Sequence, residues 1–332
     1  FVKGTKEERS DAGLPAFFVE FDETSICAGI ENGGTKTVNL KTPEDRGTVK
    51  NDLKQLLYAL LSEETKKTLP WGTLTGIRPT KIAKQLLEQG QTEQEVVAYM
   101  EHTYLASKEK TELSIDIAKR EMQILSGIHY EEGYSLYIGI PFCPTTCLYC
   151  SFTSFPICAW KNRVSDYLSA VEKEIDFVKE TCADRVLDSV YIGGGTPTCL
   201  GADYLSEILQ AVGACFAIAE NAEITVECNP ESTDQAVLEA MHKHGVNRLS
   251  FGVQAAHDTE LKRIGRIHDF AQAQTAVQLA RQCGFANISL DLMYGLPDQT
   301  QAQFLDSVTQ CLTLNPQQLS CYGLKLEPAT PM

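Results

Sequence analysis

Short runs of β-branched residues alternate with amphipathic segments from Ser135 to the end of the chain. Apolar residues in the amphipathic segments recur at helical spacing, as Leu168, Val171 and Ile175 do. Strict alternation of strands and helices predicts βαβ units and therefore a parallel sheet with helices packed on it. The six predicted strands are SLYIGI, DSVYIGG, EITVE, NRLSFGV, NISLDLMYG and LSCYGLKL.

The alternating segment extends over roughly 190 residues, fewer than the ~250 that eight βα units take in a closed barrel. We therefore predict an α/β fold with a partial (β/α)6 barrel over residues 131–332, and an open doubly wound sheet is the alternative. Residues 1–130 begin with two strand-like runs and continue with helical segments. They predict a smaller α+β N-terminal domain that ends in a linking helix. We expect a further C-terminal domain beyond the last residue of the barrel segment.

Composition narrows the class of protein. The formal net charge of the 332 residues is -15, which argues against nucleic acid as a partner because phosphate binding needs clustered lysine and arginine. No apolar run reaches the ~20 residues of a membrane helix, and the chain starts with no secretory leader. We therefore expect a cytoplasmic protein with no membrane span, in which the 12 cysteines are reduced thiols.

Three of these cysteines, Cys143, Cys147 and Cys150, form a CxxxCxxC motif directly after the first barrel strand. Cysteine thiolates are the ligands of iron–sulfur clusters, and three of them on a four-iron cluster leave one iron open for another ligand. A structural zinc site would need a fourth ligand, and Cys158 is the only other nearby thiol. We predict an iron–sulfur centre, with a zinc site that adds Cys158, or buried structural thiols, as the alternatives.

Polar or glycine-rich residues follow four further strands at the ends where ligands bind in parallel α/β folds. They are the GGGT turn with Gly194, Gly195 and Thr196, then Glu227, Gln254 and Asp291. Glycines allow the backbone to approach a ligand closely. Arg266, in the loop string LKRIGRIHD, would supply a cation for a ligand carboxylate. We predict that all of these residues face one cavity.

The CxxxCxxC motif after a first barrel strand resembles the radical S-adenosylmethionine (SAM) enzymes. In that family the cysteines hold a [4Fe–4S] cluster whose open iron chelates SAM, and reductive cleavage of SAM yields a 5′-deoxyadenosyl radical. The aromatic residue before the last cysteine, here Tyr149, belongs to the same pattern. The resemblance therefore implies a [4Fe–4S] cluster and SAM as cofactors.

The strings YIGIPFC, GGGTPT, VECNP, FGVQ, IGRIH and DLMYGLP together resemble the oxygen-independent coproporphyrinogen III oxidase group. The resemblance implies that one SAM molecule contacts Tyr137, Gly194 and Glu227. It implies that another contacts Tyr149, Gly195, Thr196, Gln254, Arg266 and Asp291. The N-terminal string LPWGTLTGIRPTKI is similar to the HemZ-type branch of this group, the coproporphyrinogen dehydrogenases.

The implied reaction is oxidative decarboxylation of two propionates of coproporphyrinogen III to vinyl groups, which gives protoporphyrinogen IX without oxygen. The implied partners are a tetrapyrrole substrate and a reducing electron donor such as flavodoxin or ferredoxin. The substrate carboxylates require cations, and Lys262 and Arg263 are the nearest candidates in the sequence. His257 and His268 flank the Arg266 loop, and we predict no ligand role for them.

Two residues depart from the oxidase pattern. Phe152 stands where the best-understood oxidases carry a further cysteine, and the CSF string there resembles the haem-chaperone branch. Gly139 replaces a histidine that is often present two residues after Tyr137. A haem-binding chaperone that retains the cluster is therefore the alternative function.

Overall fold

The computed structural model describes residues 17–30, 33–76, 78–328 and 330–332 of the chain. The first 16 residues of the predicted N-terminal domain therefore lie outside the described residues. The chain forms two compact units, Phe1–Gly127 and Ile128–Met332. Sequence analysis put the division after residue 130.

The N-terminal unit combines a small antiparallel sheet with four helices. Its elements are β1 (Phe17–Phe21), β2 (Ser25–Ile30), β3 (Thr35–Asn39), α1 (Arg46–Thr65), α2 (Thr80–Glu88), α3 (Glu93–Tyr104) and α4 (Lys108–Leu125). Ile26 and Ala28 of the central strand β2 pack against Leu56 and Leu60 of α1. Sequence analysis predicted these elements except β3, where Val38 is the single large apolar side chain in an otherwise polar strand.

The C-terminal unit repeats strand and helix from β4 onward. Its elements are β4 (Tyr134–Ile140), β5 (Phe142–Cys143), β6 (Phe155–Pro156), α5 (Ile157–Trp160), α6 (Val164–Thr181), β7 (Leu187–Gly194), α7 (Ala202–Cys215), β8 (Ile218–Cys228), α8 (Gln235–Lys243), β9 (Arg248–Gln254), α9 (Asp258–Arg263), α10 (Phe270–Gln282), β10 (Asn287–Tyr294), α11 (Gln301–Leu312) and β11 (Gln318–Gly323). The short strands β5 and β6 pair with each other in the cysteine loop.

The main sheet has six parallel strands in the order β4-β7-β8-β9-β10-β11. This order follows the chain without a reversal, whereas a doubly wound sheet reverses its strand order at a switch point. The doubly wound alternative is therefore wrong. The prediction of an α/β fold with a six-stranded partial barrel is confirmed.

The two faces of this sheet differ in polarity because successive strand residues point to opposite sides. One face carries buried apolar residues such as Ile140, Ile192 and Phe251, which pack with the helices in one hydrophobic core. The other face carries polar side chains, including Glu227 and Asp291, which the apolar core leaves free for a ligand site. Among the described residues no helix combines the length and the apolar character that crossing a bilayer requires.

Gly213 offers a test of the helical assignment of α7. It lies exposed within the helix, and a Cβ atom built there meets nothing within 4 Å. Gly213→Ala should raise the free energy of unfolding by about 0.5–1 kcal/mol, because glycine loses more conformational entropy in a helix. Urea denaturation checks this result.

Gly245→Ala is the contrasting variant. Because φ at Gly245 is +83°, alanine there should lower the free energy of unfolding by about 1–2 kcal/mol. An equal change in the free energy of unfolding in Gly213→Ala and Gly245→Ala would contradict the helical assignment.

Candidate cofactor site

A cavity of about 410 Å³ lies at the carboxyl ends of the strands of the main sheet. Its volume falls within the roughly 300–1,000 Å³ range of small-molecule sites. Eleven of the twelve predicted site residues line this cavity, and Tyr137 is the exception. The eleven are Cys143, Cys147, Tyr149, Cys150, Gly194, Gly195, Thr196, Glu227, Gln254, Arg266 and Asp291.

The three cysteines of the motif are partly buried along the loop that follows β4. The loop is fixed at its middle, where the Leu148 amide donates to the Ile264 carbonyl at 3.0 Å. Burial raises the pKa of the Cys143 thiol, and a hydrogen bond from Thr196 partly offsets that effect. Cys158 is exposed in α5 and does not line the cavity. Within the described part of the chain, no three His, Cys, Asp or Glu side chains are grouped around a single-ion position.

The glycine turn after β7 is bound directly to the cysteine loop. The amide of Gly195 donates to the Ile140 carbonyl at 2.6 Å, and the amide of Thr196 donates to the Phe142 carbonyl at 2.7 Å. A Cβ atom at Gly195 would lie 2.5 Å from the Phe142 carbonyl oxygen and 2.9 Å from Cys143 Sγ. Only glycine therefore allows the backbone of this turn to lie against the first cysteine.

Gly195→Ala is expected to abolish assembly of an iron–sulfur centre while the rest of the unit folds. Overpacking costs about 1–3 kcal/mol, and the backbone oxygen of Phe142 cannot rotate away as a side chain could. The loop with Cys143 must move instead. Iron and sulfide content after anaerobic reconstitution measures the outcome, with Gly213→Ala as the control for an alanine in open space. Full iron and sulfide in Gly195→Ala would refute the close packing.

Two carboxylates of the polar face lie among hydroxyl groups. Glu227 Oε1 accepts a hydrogen bond from the Tyr191 hydroxyl at 2.7 Å, and Asp291 Oδ2 accepts one from Ser250 at 3.2 Å. Burial raises the pKa of both carboxyl groups, more than these hydrogen bonds lower it. A ligand with a positive group would stabilise the charged forms of both.

Arg266 brings a buried cation to the same cavity, where it is 9% exposed. Its Nη2 atom donates to Asn229 Oδ1 at 3.1 Å and to the Gly252 carbonyl, and Nη1 lies 3.6 Å from Cys147 Sγ. Among the described residues its Nε atom, which is buried, has no hydrogen-bond partner. Because Arg266 lines the cavity, its guanidinium is the cation that an anionic ligand group would meet there.

The three remaining predicted residues take different positions around the cavity. Tyr137 stacks on Tyr191 with ring centroids 5.8 Å apart, and this stack joins it to Glu227. Tyr149 packs beside an apolar cluster, and burial raises its pKa. Gln254 ends β9 with φ of +69°, an uncommon conformation for a residue other than glycine.

Sequence analysis missed Asn229 and Tyr191. Asn229 Nδ2 donates to Thr196 Oγ1 at 3.0 Å, so it links the glycine turn to Arg266. The sequence contained a signal for both residues. Asn229 lies in the VECNP string, and Tyr191 lies two residues before Gly193, so it points to the same face of the strand as the first glycine of the turn. Neither Lys262 nor Arg263 lines the cavity, and Arg263 instead donates to the Pro297 carbonyl at 3.1 Å.

The chemistry of the cavity fits a [4Fe–4S] cluster together with SAM. Thiols on one side are the ligand type that such a cluster requires. The methionyl part of SAM carries a carboxylate and an ammonium group, which match the Arg266 guanidinium and the partly buried carboxylates of Glu227 and Asp291. The glycine turn adds backbone that a ligand can approach closely.

Comparisons with known proteins agree with this chemistry. The family model of the radical SAM superfamily matches residues 137–311. The chain is similar to the oxygen-independent coproporphyrinogen-III oxidase-like protein HemZ of Bacillus subtilis, at 32% identity over 98% of this chain and 68% of that protein. It is also similar to the heme chaperone HemW of Escherichia coli, at 39% identity over 59% of this chain and 52% of that protein.

Among solved structures, the chain resembles the coproporphyrinogen III oxidase HemN from Escherichia coli, a radical SAM enzyme. The TM-score is 0.56 at 32% identity, over 60% of this chain and 45% of that one. The chain thus spans about half the length of HemW and of HemN, and about two thirds of HemZ.

Proposed function

Because the chain belongs to the radical SAM superfamily, and within it to the family of the oxygen-independent coproporphyrinogen III oxidase-like protein HemZ, we propose that it converts propionates of coproporphyrinogen III to vinyl groups. The observation that carries this proposal is the shared cavity, where the three cysteines face a buried arginine with an unpaired Nε. The HemZ match extends over 98% of the chain, and the name of that protein, oxidase-like, supports the oxidase.

The cofactors of the superfamily are a [4Fe–4S] cluster and SAM. We assign the cluster to the thiols of Cys143, Cys147 and Cys150. Arg266 would bind the carboxylate of one SAM molecule, and Glu227, whose Oε1 atom accepts from Tyr191, would bind the ammonium group of the other. When bound, the two cofactors supply a 5′-deoxyadenosyl radical, which removes hydrogen from an unactivated carbon.

The residues of the cavity orient the reactants and limit the access of water. For each propionate, one hydrogen atom leaves the carbon next to the macrocycle, one electron passes to an external acceptor, and carbon dioxide departs to leave a vinyl group. A cytoplasmic flavodoxin or ferredoxin would reduce the cluster. Neither Lys262 nor Arg263 lines the cavity, so we do not assign the substrate carboxylates to them.

A haem-binding chaperone is the second candidate function. Phe152 supports it, since this side chain lines the cavity, is 72% exposed and follows the third cysteine as part of the CSF string. An exposed aromatic ring there offers an apolar surface to a flat macrocycle. In this reading the chain binds haem and transfers it without changing the propionates.

The experiment that separates the two functions is anaerobic. The protein is reconstituted with iron and sulfide and mixed with dithionite, SAM and coproporphyrinogen III, and 5′-deoxyadenosine and tetrapyrrole products are quantified. Vinyl-bearing product that Cys147→Ala does not form would support the oxidase. Formation of 5′-deoxyadenosine with an unchanged porphyrinogen would contradict it, and stoichiometric haem binding under the same conditions would then support the chaperone.

A further inference from the structure

His268 is a fully buried histidine in the loop that carries Arg266, and the proposed chemistry does not use it. Its side chain is 0% exposed, and the carboxylate side chain of Glu231 beside it is 10% exposed. Nδ1 lies 3.1 Å from Glu231 Oε2, and Nε2 lies 3.2 Å from the Val253 carbonyl oxygen. Neither residue is among those that line the cavity.

These contacts hold the ring on both sides. Nδ1 faces the Glu231 carboxylate, and Nε2 faces the Val253 carbonyl oxygen. Burial by itself would raise the pKa of the Glu231 carboxyl, but the hydrogen bond from His268 and the charge of Arg266 hold it below its usual range. Glu231 is accordingly a carboxylate that accepts a hydrogen bond from the His268 ring.

The His268–Glu231 pair joins the loop between α9 and α10 to the loop after β8, and a second contact joins the same two loops. Arg266 lies two residues before His268, and Asn229 lies two residues before Glu231. Arg266 Nη2 donates to Asn229 Oδ1 at 3.1 Å, so the loops are joined twice, once by Arg266–Asn229 and once by His268–Glu231. The Val253 contact adds a third attachment, to the end of β9.

We propose that His268 is a positioning residue, whose buried ring fixes the loop that presents Arg266 to the carboxylate of SAM. The inference rests on the proposed cofactor role of Arg266. Without the ring, this loop loses its contacts with Glu231 and Val253, and the Arg266 guanidinium is held less firmly at the cavity. His268 thus acts on SAM only through Arg266.

The test is SAM affinity, measured by equilibrium dialysis on the anaerobically reconstituted full chain. His268→Gln should weaken SAM binding about 10- to 100-fold, the range for residues that orient a ligand-binding side chain, with unchanged iron and sulfide. His102→Gln is the matched control, because that histidine is exposed at the end of α3. The double variant Glu231→Gln/His268→Gln, which leaves no unpaired charge, repeats the measurement if the single variant folds poorly.

A double-mutant cycle distinguishes positioning from a general structural effect. In an Arg266→Met background, His268→Gln should cause no further loss of SAM affinity, because the residue through which it acts is already absent. An equal loss in both backgrounds, or unchanged affinity in His268→Gln, would overturn the inference. Failure of the unaltered protein to bind SAM would instead overturn the proposed function, so the two failures are distinguishable.

Discussion

Cys147→Ala is expected to remove the iron–sulfur centre and reduce 5′-deoxyadenosine formation to the background level. Three thiolates from one short loop are assigned to hold the cluster, and the loss of one leaves two irons without a protein ligand. Arg266 Nη1 lies 3.6 Å from Cys147 Sγ, so this cysteine also supports the buried guanidinium. Iron, sulfide and SAM turnover, measured on the same anaerobic preparation, check the result.

The matched control is Cys158→Ala, which removes an exposed thiol outside the cavity. It should retain full iron, sulfide and activity. Equal loss in both variants, together with stoichiometric zinc in the unaltered protein, would show that the zinc alternative was correct. Full iron content in Cys147→Ala would show that the cluster is bound elsewhere.

Arg266→Met is expected to weaken SAM binding on the order of 10²- to 10³-fold while the cluster still assembles. Truncation of one partner of a buried, hydrogen-bonded charge pair costs about 2–5 kcal/mol, and each ~1.4 kcal/mol corresponds to a factor of ten in affinity. Methionine retains much of the apolar stem and removes only the charge and the donors. Equilibrium dialysis with SAM, corrected for cluster content, measures the change.

Arg266→Lys tests the geometry of the same site. Lysine keeps the charge but lacks the planar fork that donates to Asn229 and Gly252 simultaneously. The SAM affinity of Arg266→Lys should therefore lie between that of the unaltered protein and that of Arg266→Met. Arg163→Met is the control, since Arg163 is exposed and pairs with the exposed Asp166. Unaltered affinity in Arg266→Met would mean that another group binds the carboxylate, and the assignment of Arg266 would fail.

Much of the barrel was predictable because the patterns that indicate its strands and helices each lie within a short stretch of sequence. Runs such as NISLDLMYG carry their strand signal in a few neighbouring residues, and the helices between them repeat apolar residues every three to four positions. The rule that ligands bind at the carboxyl ends of parallel strands then brought Glu227, Gln254 and Asp291 to the same cavity as the cysteines. The strand β3 was not predicted because its residues are mostly polar.

The contacts between loops were not predictable, since they join residues far apart in the chain. His268 and Glu231 are separated by 37 positions, and so are Arg266 and Asn229. Strand spacing and loop conformation decide which of these side chains meet, and neither has a local pattern in the sequence. Cys158 is a candidate zinc ligand because it is near the motif in the sequence. The conformation of the loop, which has no local sequence pattern, places it outside the cavity.

The amino-acid sequence by itself determined the kinds of chemistry present and the order of the elements, because cysteine spacing and hydrophobic periodicity are properties of neighbouring residues. Only the tertiary structure decided which polar groups are buried and which of them are paired, and among the described residues the buried Nε of Arg266 has no partner. Burial and pairing depend on distances between separate loops. Those distances follow from the packing of the sheet and its helices.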